Sequence, residues 1–146
     1  MAMGIRSMIT RGMPIPLART LPYTLHTNRE LGLMLARRKP LAVFVDGKGH
    51  FPASVERYLR LFCRHVADGR FIRRDHFSPP IEGRNYPLHH IYFALPGEQW
   101  RIDEMIELKS SLCWSRDHER REGELLGYED WMNDHFLDRF YPKPTV

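Results

Sequence analysis

The chain has 146 residues, 42% of them hydrophobic and 12% aromatic, and its formal net charge is +4. This composition predicts one folded domain with an apolar core and excludes a disordered chain. No stretch approaches about 20 apolar residues, so no membrane span is expected. Residues 1–13 lack the apolar run of a secretory signal and only two cysteines occur, so we predict a cytoplasmic protein with reduced thiols.

The N-terminal part of the chain predicts little regular structure. Residues 1–16 are expected to form an extended arm, and residues 19–25 are β-prone but contain Pro22, which limits them to an edge strand. A short helix is predicted over residues 29–38, ending before Pro40.

The middle of the chain is organised around one helix. Apolar residues recur at three- and four-residue spacing from Ser54 to Gly69, with Ser54 as the predicted N-cap and Gly69 as a left-handed residue after the last turn. Before this helix, the continuous apolar run Leu41–Val45 predicts a buried central strand.

Two further strands are predicted at residues 70–77 and 89–95, antiparallel to one another across the turn-rich loop 78–87. From Glu98 onward the pattern is helical, and helices are predicted over residues 98–112, 116–126 and 128–141. The carboxylates of the second of these are expected to form a solvated face: Asp117, Glu119, Glu122 and Glu124.

Together these elements predict an α+β fold, in which a small, largely antiparallel sheet is covered by the central helix and a helical subdomain follows. We expect a single domain, residues 1–146, made of an extended arm at 1–16, an α/β body at 17–97 and a helical C-terminal segment at 98–146.

Charge is distributed unevenly along the chain. Residues 1–97 carry 15 Lys and Arg against 6 Asp and Glu, whereas residues 98–146 carry 7 against 12. The favoured interpretation is that the basic and acidic parts attract one another, within the chain or between subunits of a homo-oligomer. The alternative is that the basic part binds a polyanion.

The turn Asp46–His50 is a candidate anion site. Gly47 and Gly49 allow a ligand to approach the backbone, and Lys48 and His50 supply positive charge. The glycine spacing does not match a P-loop, and an ordinary turn between a strand and a helix, with a solvated Lys48, is the favoured interpretation.

Histidines provide a second candidate. If the strands at 70–77 and 89–95 pair, His76 faces either His89 or His90, with Asp75 nearby, a set of groups suited to a metal or to proton transfer. No sequence spacing typical of a metal site occurs, so we predict neither a metal nor a cofactor.

Basic residues provide the third candidate. Arg57, Arg60 and Arg64 line one face of the central helix, and Arg73 and Arg74 lie near Phe71 and Phe77, which can stack on nucleic-acid bases. Lys39 is a further basic residue of this part of the chain.

The sequence alone therefore favours a non-catalytic interaction or regulatory module that self-associates or binds a protein partner. Nucleic-acid or anionic-ligand binding through the basic body is the alternative. A second alternative is an enzyme that uses the Asp46–His50 turn or the His76/His90 region.

Overall fold

The computed structural model describes residues 21–145, so the arm predicted at residues 1–16 lies outside the described part of the chain. The described chain has an α+β fold with five helices and three strands. In chain order these are α1 Glu30–Leu35, β1 Leu41–Gly47, α2 Ala53–Ala67, β2 Ile72–Ser78, β3 Leu88–Ala94, α3 Trp100–Lys109, α4 Arg116–Leu125 and α5 Asp130–Phe140.

The three strands form an antiparallel sheet with the order β1-β3-β2. The predicted antiparallel pairing of β2 with β3 is confirmed. The prediction that Leu41–Val45 forms the central strand is wrong, because β3 lies between the other two. A continuous apolar run indicates that a strand is buried, but it does not indicate how many neighbouring strands it has.

Helix α2 packs on one face of this sheet through aromatic side chains. The Phe62 side chain is fully buried, with its ring centroid 5.3 Å from that of Phe44 on β1 and 4.6 Å from that of Phe93 on β3. Gly69 follows the helix with a φ of +76°, as predicted. Ser54 is not the N-cap, because the helix begins earlier, after Pro52, and no side chain caps its first turn.

The chain divides into two compact units. Pro40–Ile102 form the first, which we call the sheet unit. Among the described residues, 21–39 and 103–145 form the second, which we call the helical unit. The boundary falls inside α3. The prediction of a single domain stays a prediction.

In the helical unit, Leu25, Tyr128 and Phe136 form a buried apolar cluster. Residues 21–25 form no strand, contrary to the prediction, since their apolar side chains are used in this cluster rather than on a sheet. Helix α1 is shorter than predicted, because Arg37 leaves the helical conformation with a φ of +59°.

The solvated face predicted for α4 is wrong for two of its carboxylates. The exposed fractions of Glu119 and Glu122 are 0% and 1%. Their charge is satisfied by polar partners in the same unit: Trp114 Nε1 donates to Glu119 over 2.5 Å, and Lys109 Nζ lies 3.2 Å from Glu122. A sequence pattern that treats every charged residue as solvent-facing cannot predict the burial of paired carboxylates.

Candidate functional site

The backbone of the Asp46–His50 turn is engaged with protein acceptors. The N–H of Gly47 donates to Asp46 Oδ1, that of Lys48 to the carbonyl of Pro87, and that of His50 to the carbonyl of Gly47. A phosphate cradle needs such N–H groups to be available. These three N–H groups are therefore not available to an anion, whereas the exposed side chains of Lys48 and His50 are.

The side chains of this turn extend toward two different aromatic rings. The His50 ring stacks on Tyr86, with 4.0 Å between centroids. Arg84 donates to the Tyr86 hydroxyl over 3.0 Å, which places an exposed guanidinium at the same ring. Gly47 lies directly beneath that ring, because a Cβ at position 47 would be 2.2 Å from Tyr86 Cε2.

The second ring is Phe77, at the end of β2. Its exposed fraction is 48%, and the Lys48 ammonium lies 5.5 Å from its centroid. His89 on β3 is directly opposite Phe77 in the strand register, and the two rings stack at 4.5 Å. The result is an exposed aromatic ring with a cation over it and an imidazole stacked against it.

Asp75 lies on the same sheet face and links two groups, Arg73 and His89. Arg73 donates two hydrogen bonds to it, over 2.7 and 2.8 Å, and His89 Nε2 lies 2.7 Å from Oδ2. The hydrogen bonds from Arg73, with a smaller contribution from His89, lower the pKa of Asp75 below its ordinary value. Arg73 also donates to the Cys63 sulfur over 3.1 Å.

The predicted histidine cluster is only partly assembled. His76 and His90 are directly opposite in the register, with 5.6 Å between ring centroids, as predicted. Asp75 does not join them, because adjacent residues of a strand point to opposite faces. On the histidine face, His90 Nε2 instead lies 2.8 Å from the hydroxyl of Ser78.

The helix arginines are available to a ligand. Arg57, Arg60 and Arg64 are all exposed, and within the part of the chain that the structure describes their guanidinium groups make no hydrogen bond or ion pair. The two strand arginines differ from one another: Arg73 is paired with Asp75, whereas Arg74 lies on the opposite face, across from Tyr92. Phe71, one of the two predicted stacking rings, is buried.

The carboxylates of the C-terminal segment pair with cations of that same segment. The ion pairs are Lys109–Glu122, Arg116–Asp138, Arg120–Asp134, Arg121–Glu104 and Arg121–Glu124. Several of these carboxylates are therefore already neutralised locally.

Sequence reasoning missed a buried cation in the helical unit. The exposed fraction of Lys39 is 2%, and its ammonium lies 2.8 Å from His26 Nδ1 and donates to the Leu126 carbonyl over 2.7 Å. Glu30 is buried as well. Burial raises the pKa of Glu30 above its ordinary value, and the charge of Lys39 opposes that shift. Lys39 is thus removed from the candidate polyanion surface.

Among residues 21–145, no group of three or more His, Cys, Asp or Glu side chains is arranged to hold a metal ion. Over the same residues, every helix is too short or too polar to cross a bilayer. Both cysteines are free thiols. Comparison with protein-family models, with curated proteins and with solved structures gives no match.

Proposed function

We propose that this protein binds a phosphate-bearing polyanion through the exposed cations of its sheet unit. The observation that carries the proposal is the exposed row Arg57, Arg60 and Arg64 on α2, whose guanidinium groups have no partner among residues 21–145. When basic side chains neutralise phosphates, counterions are released from the nucleic acid. This release is the main source of non-specific affinity for nucleic acids.

The helix geometry supports the proposal. Residues 57, 60 and 64 follow a three- then four-residue spacing, so they share one face of α2, and the first and last lie about 10 Å apart along the axis. A row of that length contacts successive charges of one strand rather than a single small anion. The sheet unit as a whole carries nine Lys and Arg against six Asp and Glu.

The local pairing of the acidic segment also supports it. The expectation of self-association rested on attraction between the basic and acidic parts of the chain. Five carboxylates of the acidic segment pair with cations of that same segment, so these five are engaged locally rather than with the basic part of the chain.

The experiment is fluorescence anisotropy with a short labelled oligonucleotide across a salt series. We expect affinity to fall as salt rises. In the triple variant R57Q/R60Q/R64Q the slope of log affinity against log salt should decrease in magnitude by roughly 2 to 3, at about 0.7–0.9 for each phosphate that is no longer neutralised. The charge-conserving triple variant R57K/R60K/R64K is the matched control and should keep the wild-type slope.

Two results would contradict the proposal. One is the absence of any binding at low salt. The other is an unchanged slope in the glutamine variant, which would mean that the bound phosphates contact other residues.

Self-association, a protein partner and a cytoplasmic location stay predictions, as does the enzyme alternative. Light scattering across the same salt series measures the oligomeric state directly. A dimer that dissociates as salt rises would support the electrostatic self-association that the charge asymmetry suggested.

A further inference from the structure

The sheet unit has an exposed aromatic ring in addition to the arginines of α2. Polyanion binding through those arginines does not account for this ring. Phe77 stands at the end of β2 with about half of its surface exposed. A half-exposed phenylalanine forgoes part of the free energy that burial of its ring would supply. Phe77 is nonetheless held in place, since His89 stacks against it and Phe51 contacts the edge of His89 at 5.6 Å.

The charges around this ring favour a phosphate. The Lys48 ammonium lies over the ring, 5.5 Å from its centroid, on an exposed side chain that can move aside to a neighbouring anion when a base stacks on Phe77. Asp75, a carboxylate of this face, is engaged by two hydrogen bonds from Arg73 and by His89. Its negative charge is thereby offset, so it presents little repulsion to a bound strand.

A second aromatic and cationic pair adjoins the first through the turn. Tyr86 packs over Gly47, one residue before Lys48, and carries the exposed Arg84 at its hydroxyl. The turn therefore joins two places where an aromatic ring and a cation lie together. This combination is the one that proteins use to bind single strands, in which bases stack on rings and phosphates lie on cations.

We propose that Phe77 is a stacking platform for an unpaired base, with Lys48 binding the adjacent phosphate, so that the preferred ligand is single-stranded nucleic acid. This inference rests on the proposed function, polyanion binding, and narrows the ligand to single-stranded nucleic acid. In a duplex the base faces are already occupied by neighbouring bases, so Phe77 contributes only to single-strand binding. Because every base has a π-face, the site tolerates different sequences.

The test compares one labelled strand, alone and in duplex, in DNA and in RNA. We expect the single strand to bind more tightly than the duplex. Phe77→Leu should weaken single-strand binding about 5- to 150-fold, the range measured for removal of one stacking ring, and leave duplex binding unchanged. The salt slope should stay at its wild-type value, because no charge is removed.

Two variants separate stacking from structural damage. Phe77→Trp should restore single-strand affinity and add a fourth tryptophan whose fluorescence is quenched by a stacked base. Trp131→Leu removes an aromatic ring of similar exposure (46%) from the helical unit and should leave binding unchanged. The thermal midpoint of Phe77→Leu, compared with wild type, reports whether the fold is intact.

The possible results distinguish the stacking platform at Phe77 from the more general proposal that the protein binds a polyanion. Equal affinity for single strand and duplex, together with no effect of Phe77→Leu, would overturn the stacking platform and leave polyanion binding standing. Absence of binding to every oligonucleotide at low salt would overturn both. An equal reduction of affinity for DNA and RNA supports a platform that does not contact the 2′-hydroxyl.

Discussion

At the scale of single residues, the Asp46–His50 turn depends on a glycine for a reason other than a ligand. The ring of Tyr86 occupies the space where a side chain at position 47 would begin. Glycine at position 47 thus sets where Tyr86 lies, and Tyr86 in turn positions His50 and Arg84. The sequence indicated that something approaches Gly47 closely, but the approaching group is a tyrosine 39 positions away.

Gly47→Ala should therefore lower the free energy of unfolding by about 1–3 kcal/mol, because the Tyr86 ring must shift to admit the methyl group. Urea denaturation measures this change. In a Tyr86→Ala background the same substitution should cost at least about 1 kcal/mol less, since the clash has been removed.

Gly49→Ala is the comparison within the same turn. No atom lies within 4 Å of a Cβ at that position, but the φ of +77° is left-handed. Its cost, about 1–2 kcal/mol of backbone strain, should be the same with and without Tyr86. If the cost of Gly47→Ala were also the same with and without Tyr86, a clash with the Tyr86 ring would not be the cause of that cost.

At the scale of elements, α4 is the helix that sequence patterns describe least well. Only Leu125 at its C-terminal end is a large apolar residue, so the pattern predicts a solvated helix. The structure instead turns Glu119 and Glu122 inward, where a tryptophan and a lysine satisfy them. Ser115 is the N-cap of this helix, a feature that local sequence can indicate because the capping side chain and the N–H that donates to it are three residues apart.

The Lys109–Glu122 pair joins α3 to α4, and breaking it should destabilise the chain. Glu122→Ala leaves the nearly buried ammonium of Lys109 without this partner, and we expect a loss of about 3–5 kcal/mol in the free energy of unfolding. Chemical denaturation provides the measurement. Replacing both residues by apolar ones, K109M/E122L, should recover most of that loss.

Glu124→Ala is the control on the same helix. Glu124 pairs with Arg121 in solvent, and exposed pairs of this kind contribute about 1 kcal/mol or less. Equal losses at positions 122 and 124 would argue that helix propensity, and not burial of the ion pair, sets the cost.

The sheet was predictable where its signals are local. Alternation along residues 70–77 and a turn-rich loop predicted the β2–β3 pairing, and the register then placed His76 opposite His90. The place of β1 was not predictable, since it depends on contacts between distant segments. For the same reason, the pairing of Asp75 with His89 and the burial of Lys39 became visible only in three dimensions.

At the scale of the whole molecule, the dependence of stability on pH combines the contributions of two carboxyl groups whose pKa values are shifted in opposite directions. The lowered pKa of Asp75 means that its ionised form stabilises the fold above the pKa of the unfolded chain, and that this contribution is lost as the pH falls through the lowered value. The raised pKa of Glu30 means that its protonated form is favoured on folding. That contribution is present at low pH and is lost as the pH rises through the raised value.

Urea denaturation from about pH 3 to pH 7 should separate the two effects. The stability advantage of wild type over Asp75→Asn should grow with pH across this range. Relative to Glu30→Gln, wild type should instead lose stability as the pH rises. If both stability differences, wild type against Asp75→Asn and wild type against Glu30→Gln, changed with pH in the same direction, one of these carboxyls would titrate in an environment different from the one described.

The strand order has a consequence for how the chain is made. Because β3 lies between β1 and β2, neither of these two earlier strands has a partner strand among residues 21–145 until residues 88–94 leave the ribosome. The β2–β3 hairpin then closes across residues 79–87. Pairing of β1 closes a loop about four times as long, at an entropic cost about 1 kcal/mol greater. The strand order therefore predicts that β3, the last of the three strands to be translated, pairs first with β2 and then with β1.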